Sequence, residues 1–336
     1  MDDIFEEYSK EREPAKYYKS YAWKTAIGLQ KVDGLETSEY LIRTAEQNIN
    51  GDISFDDAHA LITSYYKEHE DRKERTEEAD KVSVRIAQII SEKTFTFSPV
   101  EYLTIHRRLF EGIYSHAGKI RDYNITKSEW VLDGDTVMYG NAINLRETLE
   151  YDFNLERGFD YKGLSAEEVI SHIAIFISNL WQIHIFGEGN TRATAVFLIK
   201  YLNKLGFDVT NDIFAENSWY FRNALVRANY NNRAKGVSET PHYLKMFLRN
   251  LLLGENNILS NRELHIRFTE ETHKAKTNRE AEIVALLREN PNITLQSIAD
   301  KIGKSLRTIK TIVKALQDRG IVERVGGKKM GSWKVK

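Results

Sequence analysis

The chain of 336 residues contains no cysteine and only 4 prolines. The first absence excludes disulfides and thiolate metal sites, and it fits a reducing, cytoplasmic setting. The second leaves room for long uninterrupted helices, because proline removes a backbone donor and breaks a helix interior. No apolar run approaches the ~20 residues needed to span a bilayer, so no membrane partner is expected. The opening MDDIFEEYSKEREP is acidic and polar, unlike a secretory signal or an Arg-rich transit peptide. What is present is ordinary for a soluble globular protein: 41% hydrophobic and 29% charged residues. The net charge of -1 conceals an asymmetry. From Lys276 onward there are 14 Lys and Arg against 6 Asp and Glu, a net of +8, so the preceding part carries −9. An acidic body with a basic C-terminal segment reads as two functions in one chain.

Four segments are expected. Residues 1–92 form an N-terminal helical region, punctuated at Asn50-Gly51 and restarted by a capping signal at Ser54 with Asp57. Within it, the run KEHEDRKERTEEADK mixes signs without a large apolar residue and reads as a solvated helix face. Residues 93–255 form an α-helical body. There, SPVEYLTIHRRLFEGIY repeats apolar residues at three and four. AEEVISHIAIFISNLWQIHIF is apolar nearly all round, as a buried central helix would be. TRATAVFLIKYLNKLGF is a second buried helix, ended by Gly206. Between the first two lies KSEWVLDGDTVMYGN, where Asp133-Gly134 between Val and aromatic residues predicts a β-hairpin over 128–140. Residues 256–275 read as a linker. Residues 276–336 read as three helices and two short strands around a Gly-Gly turn, a winged helix-turn-helix. The fold class is mainly α, with one hairpin and a C-terminal winged helix.

The chemistry concentrates in HIFGEGNTR, residues 184–192. A helix ends near Ile183 and another begins around Asn190. The first N–H groups of the new helix lack intrahelical partners, and its dipole adds partial positive charge. Gly187 and Gly189 let a phosphate approach the backbone, so the loop is a candidate anion nest. Asn190 can cap the helix or donate to phosphate, and Arg192 can reach a second phosphate with its planar fork. Glu188 suits Mg²⁺, which commonly binds one carboxylate plus substrate phosphates. His184 is a general-base candidate with an unperturbed pKa near working pH. Phe186 alternates with the polar groups and is expected to pin the loop to the core. A lone histidine at a helix end is more often a satisfied core residue; the joint arrangement in nine residues argues for a site.

HIFGEGNTR resembles the Fic signature H-x-F-x-[DE]-G-N-G-R-x-x-R. The buried helix before it, HAGKIRDYNI, the hairpin at 128–140 and the following helix extend the resemblance over roughly residues 35–255. It implies a Fic-type helical bundle with a β-hairpin flap. It also implies transfer of AMP or another nucleoside monophosphate from ATP or another NTP to a Ser, Thr or Tyr hydroxyl of a protein target. On this resemblance His184 would deprotonate the hydroxyl and Glu188 would hold Mg²⁺. Gly189 and Asn190 would form the anion hole, with Gly187 and Thr191 beside them, and Arg192 would hold the β-phosphate. Val131 and Leu132 would be flap contacts for the target strand. SWYFRNALVRANY resembles the helix lining the nucleotide pocket, with Tyr220 and Asn229 as candidates against the blander reading of helix packing.

Two positions depart from the pattern. Thr191 replaces a glycine, and Ala195 replaces the second arginine, which in the family grips the γ-phosphate. EQNINGD resembles the family's inhibitory segment [ST]-x-x-x-E-[GN], with Asn50 in place of the glutamate and Glu46 at the Ser/Thr position. Residues 38–66 therefore read as an inhibitory-helix scaffold without its Glu–Arg lock. In the C-terminal unit, Arg307, Lys310 and Lys314 share one face of the expected recognition helix, with Ser305, Thr308 and Thr311 as short donors. Arg324, Lys328, Lys329, Lys334 and Lys336 suit phosphate contacts from the wing. DNA is the expected partner there, and a homo-oligomer if the DNA site is palindromic; protein docking is the blander reading. The expected function is a protein nucleotidyltransferase. The alternative is a DNA-binding regulator with a nucleotide-sensing Fic domain, and phosphoryl transfer with the nucleotide bound in reverse, as in the Doc branch, is a third reading.

Overall fold

Helix α1, Pro14–Gln30, is enclosed on all sides over its later half, where every residue from Tyr21 to Leu29 is buried. In this computed structural model, which describes residues 14–69, 74–268, 270–326 and 331–336, α1 is followed by α2 (Glu39–Asn50), α3 (Phe55–Glu68) and α4 (Glu74–Ser91). Helices α5 (Pro99–Phe110), α6 (Leu145–Arg157), α7 (Ala166–Ile183), α8 (Asn190–Lys204), α9 (Ile213–Ala228), α10 (His242–Leu253) and the short α11 (Asn261–Leu264) complete a first unit ending at Ile266. One continuous apolar core spans this unit, from Trp23 on α1 to Leu264 on α11. The N-terminal helices therefore share a core with the body that follows, and the stretch read as a linker begins inside it: Leu264 is buried and Ile266 N–H donates to Val131 O at 2.9 Å.

Local chemistry sets the helix ends. Ser54 and Asp57 form the expected capping box on α3, and Ser165 and Glu168 form one on α7. Gly28 is where α1 meets α9. A Cβ there would sit 2.4 Å from the Ala215 backbone, and Ser218 Oγ donates to Gly28 O at 2.6 Å. Every residue of α8 from Asn190 to Leu202 is buried, so truncating Phe197 to alanine is expected to cost about 3 kcal/mol. The buried Lys200 on α8 turns its ammonium to Ile89 O and Glu92 O, carbonyls at and just past the end of α4.

Segment 128–140 corrects the expected hairpin. The chain turns at Asp133 and Gly134, both with positive φ, but Trp130–Leu132 is a 3₁₀ turn and no strand ladder forms. Glu129 N–H donates to Asp135 O at 2.9 Å. Val131 and Leu132 are both fully buried. Two neighbouring side chains cannot enter one core from a pleated strand, whose side chains alternate; a tight helical turn lets them. Among the described residues the one sheet is in the second unit.

That unit, Arg267–Lys336, has its own core around Ile283, Ile298, Ile309, Val313, Leu316 and Trp333. It comprises α12 (Glu270–Glu289), α13 (Leu295–Ile302), α14 (Leu306–Asp318) and an antiparallel pair, β1 (Val322–Val325) with β2 (Ser332–Val335), in register Val322 to Val335. Gly303, at positive φ, ends α13 and turns the chain toward α14. No described helix is long and apolar enough to cross a membrane.

Candidate active site

His184 ends α7 in the left-handed region, at φ 48° and ψ 54°, a strained setting for a non-glycine residue. Its ring is buried beside Tyr139 and Trp181. Nδ1 lies 3.3 Å from Trp181 O. A carbonyl only accepts, so Nδ1 carries the proton and Nε2 keeps its lone pair. Burial, reinforced by the Lys127 charge, holds the imidazole pKa well below the ordinary histidine value despite the Trp181 carbonyl. Arg121 fixes the position from behind: its guanidinium donates to His184 O at 2.7 Å, to Gly140 O, to Ile183 O and to Tyr123 O. The loop and the segment covering it are thus tied through one buried arginine.

The rest of the loop is held by side chains turned on its own backbone. Asn190 Nδ2 donates to Phe186 O at 2.8 Å and its Oδ1 accepts from Phe186 N–H at 3.0 Å. The Asn190 side chain is thus fixed on the loop backbone, with one of its two amide N–H donors engaged. Phe186 is buried and stacks on His106 at 3.6 Å, as its alternation predicts. Thr191, in the place of a glycine, accepts from Trp181 Nε1 at 3.0 Å. Gly189 precedes α8 at φ 76° and gives it no side-chain cap, so the first-turn N–H groups of α8 stay open to a ligand. A Cβ on Gly187 would meet Tyr123 Oη at 2.6 Å and His116 Nε2 at 3.2 Å.

Arg192 departs from expectation. It is 1% exposed and bound within the protein: Nη2 to Glu78 Oε1 at 2.6 Å and Tyr114 Oη at 3.1 Å, Nη1 to Gln30 Oε1 at 3.0 Å. Nε lies 2.8 Å from Asp33 Oδ2, a charge contact whose N–H is not aligned as a hydrogen bond. Burial disfavours the charge, but Asp33, Tyr114 and Glu78 outweigh it and raise the pKa. Phe110 lies under the guanidinium at 4.7 Å. The run read as a solvated face supplies Glu78, and also Asp80, which is fully buried and bonded to Ser38 and Tyr66.

Other predicted residues fall elsewhere. Ala195 is fully buried within α8. Val131 and Leu132 are core residues and cannot offer side chains to a target; Trp130 and Met138 are the exposed apolar residues of that segment. Tyr220 is 1% exposed, with burial and then Tyr243 and Glu263 raising its pKa, and Asn229 donates to Ser178 O and Leu225 O. Asn229 Nδ2 is engaged by its own helix and its neighbour, whereas the buried Tyr220 hydroxyl has no hydrogen-bond partner among the described residues. Asn50 is exposed at the end of α2, and the acids that meet a motif arginine are Asp33 and Glu78 instead.

Glu188 keeps an exposed carboxylate, with Lys127 Nζ at 3.0 Å from Oε2. Its backbone is fixed by His106, which carries no distinguishing signal inside LTIHRRLF. His106 Nδ1 accepts from Gly118 N–H at 2.8 Å, so Nε2–H donates to Glu188 O at 2.9 Å. Burial pushes this imidazole down to about 3. A cavity of about 910 Å³, lined by Tyr18, Lys93, Phe95, Lys200 and Phe207 among others, includes no residue of the loop.

In the second unit, Arg307, Lys310 and Lys314 are exposed on one side of α14 while Ile309, Ile312, Val313 and Leu316 are buried on the other. Ser305 caps α14 and Thr311 Oγ1 bonds Arg307 O, so these hydroxyls are used locally. Arg324 stacks over Trp333 at 4.7 Å, and Lys336 pairs with Glu323. Lys328 and Lys329 lie outside the described residues.

Comparison with known proteins agrees with this anatomy. Residues 96–202 match the family model of the Fic/DOC family, and residues 279–323 match that of winged helix-turn-helix DNA-binding domains. Among solved structures, the chain is similar to the N-terminal Fic domain of a VirB-translocated effector protein (Bep) from Bartonella sp. AR 15-3. That match has 19% identity over 53% of this chain and 82% of that one, with a TM-score of 0.41. A Fic family protein from Desulfovibrio desulfuricans G20 matches at 11% identity over 99% of this chain and 93% of that one, with a TM-score of 0.46. The chain carries a Fic/DOC domain followed by a winged helix-turn-helix domain.

Proposed function

We propose that the Fic domain is a protein nucleotidyltransferase, moving a nucleoside monophosphate from an NTP to a target hydroxyl. The observation that carries the reading is the state of His184: Nδ1–H is spent on Trp181 O, which leaves Nε2 a neutral base in the same loop that leads into the uncapped N-terminus of α8. The target hydroxyl gives its proton to Nε2 as its oxygen bonds the α-phosphorus. The bond from that phosphorus to the α,β-bridging oxygen breaks, and pyrophosphate leaves. The charge that gathers on the α-phosphate oxygens faces the open N–H groups of α8, already oriented by the Asn190–Phe186 clamp.

Glu188 would hold a Mg²⁺ ion through its exposed carboxylate, the single protein carboxylate plus substrate phosphates that Mg²⁺ commonly takes. When bound, the ion neutralises phosphate charge and steadies the leaving group. The exposed edge around Trp130 and Met138 suits the target segment. The winged helix, with its cationic α14 face, is a DNA-binding module in this reading.

The test is incubation with Mg²⁺ and each of ATP, GTP, CTP and UTP, with and without cell lysate, followed by intact-protein mass spectrometry. An adduct that disappears in His184→Ala supports transfer, and its mass names the nucleotide. Salt-sensitive DNA binding without any adduct would favour a regulator with a sensing Fic domain. That second reading rests on Arg192, whose charge is already met by Asp33 and Glu78.

A further inference from the structure

Among the described residues, four cations stand out at the loop: Arg192 within it, and Lys127, Arg222 and Arg121, whose charges all act on His184. A diphosphate leaving group needs at least one of them. Arg192 is enclosed and engaged by Glu78, Asp33, Gln30 and Tyr114. Arg121 spends its guanidinium on the carbonyls of His184, Tyr123, Gly140 and Ile183. Arg222 makes a two-point pair with Glu129, at 2.6 and 3.1 Å, and that carboxylate is buried. Lys127 differs from all three. Among the described residues its ammonium meets Glu188 Oε2, at 3.0 Å, and the two side chains are 26% and 56% exposed.

That difference decides which cation a substrate can claim. An ion pair open to solvent is weak and exchanges readily, whereas parting a buried pair leaves an uncompensated charge. The partner of Lys127 is also the loop's own carboxylate, the residue proposed to hold the metal. If Glu188 held a divalent cation, the Lys127 ammonium would give up its carboxylate partner and keep three N–H donors beside the loop. The backbone of Lys127 is held meanwhile by its N–H to Thr136 Oγ1 at 3.3 Å, so the side chain is released without the segment leaving.

We propose that Lys127 is a catalytic residue of this site, its ammonium holding the β-phosphate of the nucleotide in place of the enclosed Arg192. The proposal rests on the nucleotidyl-transfer reading for the reaction but makes a claim about binding that stands apart from it. Before nucleotide arrives, Lys127 competes with metal for Glu188; afterwards it binds the phosphate whose departure completes transfer.

Calorimetry on the full chain tests both halves, with Lys127→Met and Lys127→Arg checked by thermal melting against the wild type. Without nucleotide, Lys127→Met is expected to bind Mn²⁺ several-fold more tightly, because the competing ammonium is gone. With saturating Mn²⁺, it is expected to bind ADP roughly tenfold more weakly, the worth of one charge-assisted hydrogen bond, and AMP unchanged. Lys127→Arg should retain most of the ADP affinity. Unchanged ADP binding, an equal loss for AMP, or weaker Mn²⁺ binding in Lys127→Met would overturn the proposal. If the wild type forms no adduct while ADP binding still depends on Lys127, the transfer reading falls and this one stands. If His184→Ala abolishes an adduct that Lys127→Met forms at the wild-type rate, the reverse holds.

Discussion

Arg192 Nη2 donates to Glu78 Oε1 across 2.6 Å, joining residues 114 positions apart in the chain. The arginine is 1% exposed and the glutamate side chain 18%. This pair binds α4 to the start of α8, and with Asp33 it closes the arginine to solvent. Glu78→Gln is expected to lower stability by about 2 kcal/mol in urea unfolding. That is less than the ~3–5 kcal/mol of a fully unpaired buried charge, because Asp33 still faces the guanidinium. Glu78→Gln with Asp33→Asn should cost more than the sum of the two single changes. Strict additivity would show that the acids do not act on one shared charge.

The buried imidazoles set a pH dependence. His184 and His106 both have pKa values depressed by burial, His106 to about 3. In the unfolded chain each takes a proton near pH 6.5, while the folded forms stay neutral. The unfolded state then binds more protons, so stability falls as pH drops below about 6.5, by up to ~1.4 kcal/mol per pH unit for each ring. Asp152, pushed up to about 6 by burial, acts in the opposite sense below that pH. The comparison of wild type with His106→Phe cancels it. The variant should be less stable at pH 7, with Gly118 N–H and Glu188 O unpaired, and its stability should fall less steeply between pH 6 and 4. Parallel curves would refute the assignment of a buried neutral His106.

Much of the site is legible in the sequence because its pattern is local. Nine residues carry the proposed base, the carboxylate, the glycines and the helix start, and α7 ends at Ile183 and α8 begins at Asn190 as the sequence predicts, although Asn190 does not supply the cap. What the sequence hides depends on distant partners. Nothing near Arg192 in sequence foretells Gln30, Asp33 and Glu78, and a mixed-charge run gives no sign that Glu78 and Asp80 point inward. Asn190 could cap or bind phosphate by residue type alone; its clamp on Phe186 is visible only in three dimensions. At 128–140 the Asp-Gly pair does mark the turn, but the flanking Val and aromatic residues mislead, because Val131 and Leu132 enter the core together.

Two substitutions in the loop separate shape from chemistry. At Gly189 a Cβ would stand 2.4 Å from the Phe110 ring, and the backbone has φ 76°. Gly189→Ala adds about 1–2 kcal/mol of left-handed strain to ~1–3 kcal/mol of overpacking, and it shifts the ring beneath Arg192. It is expected to lower stability by about 3 kcal/mol and to abolish transfer. Thr191→Gly strands the buried Trp181 indole N–H, at a cost of about 1–3 kcal/mol, yet leaves the backbone N–H in place. It should therefore retain more transfer than Gly189→Ala at comparable loss of stability. Equal inactivation would mean that the Thr191–Trp181 bond positions the base.

The cationic face of α14 makes the last prediction. Arg307, Lys310 and Lys314 are exposed at spacings of three and four, and the opposite side of the helix is locked into the core by Ile309, Val313 and Leu316. If this face enters a DNA groove, each charge that meets a phosphate releases about one counterion. Fluorescence anisotropy with duplex DNA at several salt concentrations measures the count. Replacing any one of the three by alanine should weaken binding and flatten the log K against log salt slope by about 0.9 for each phosphate no longer neutralised. Thr311→Ala should leave that slope alone, because its hydroxyl is already bonded to Arg307 O at 3.0 Å. Were binding absent, or its slope insensitive to all three cations, the unit would be a protein-docking module, and the basic C-terminal segment would be a solvated surface.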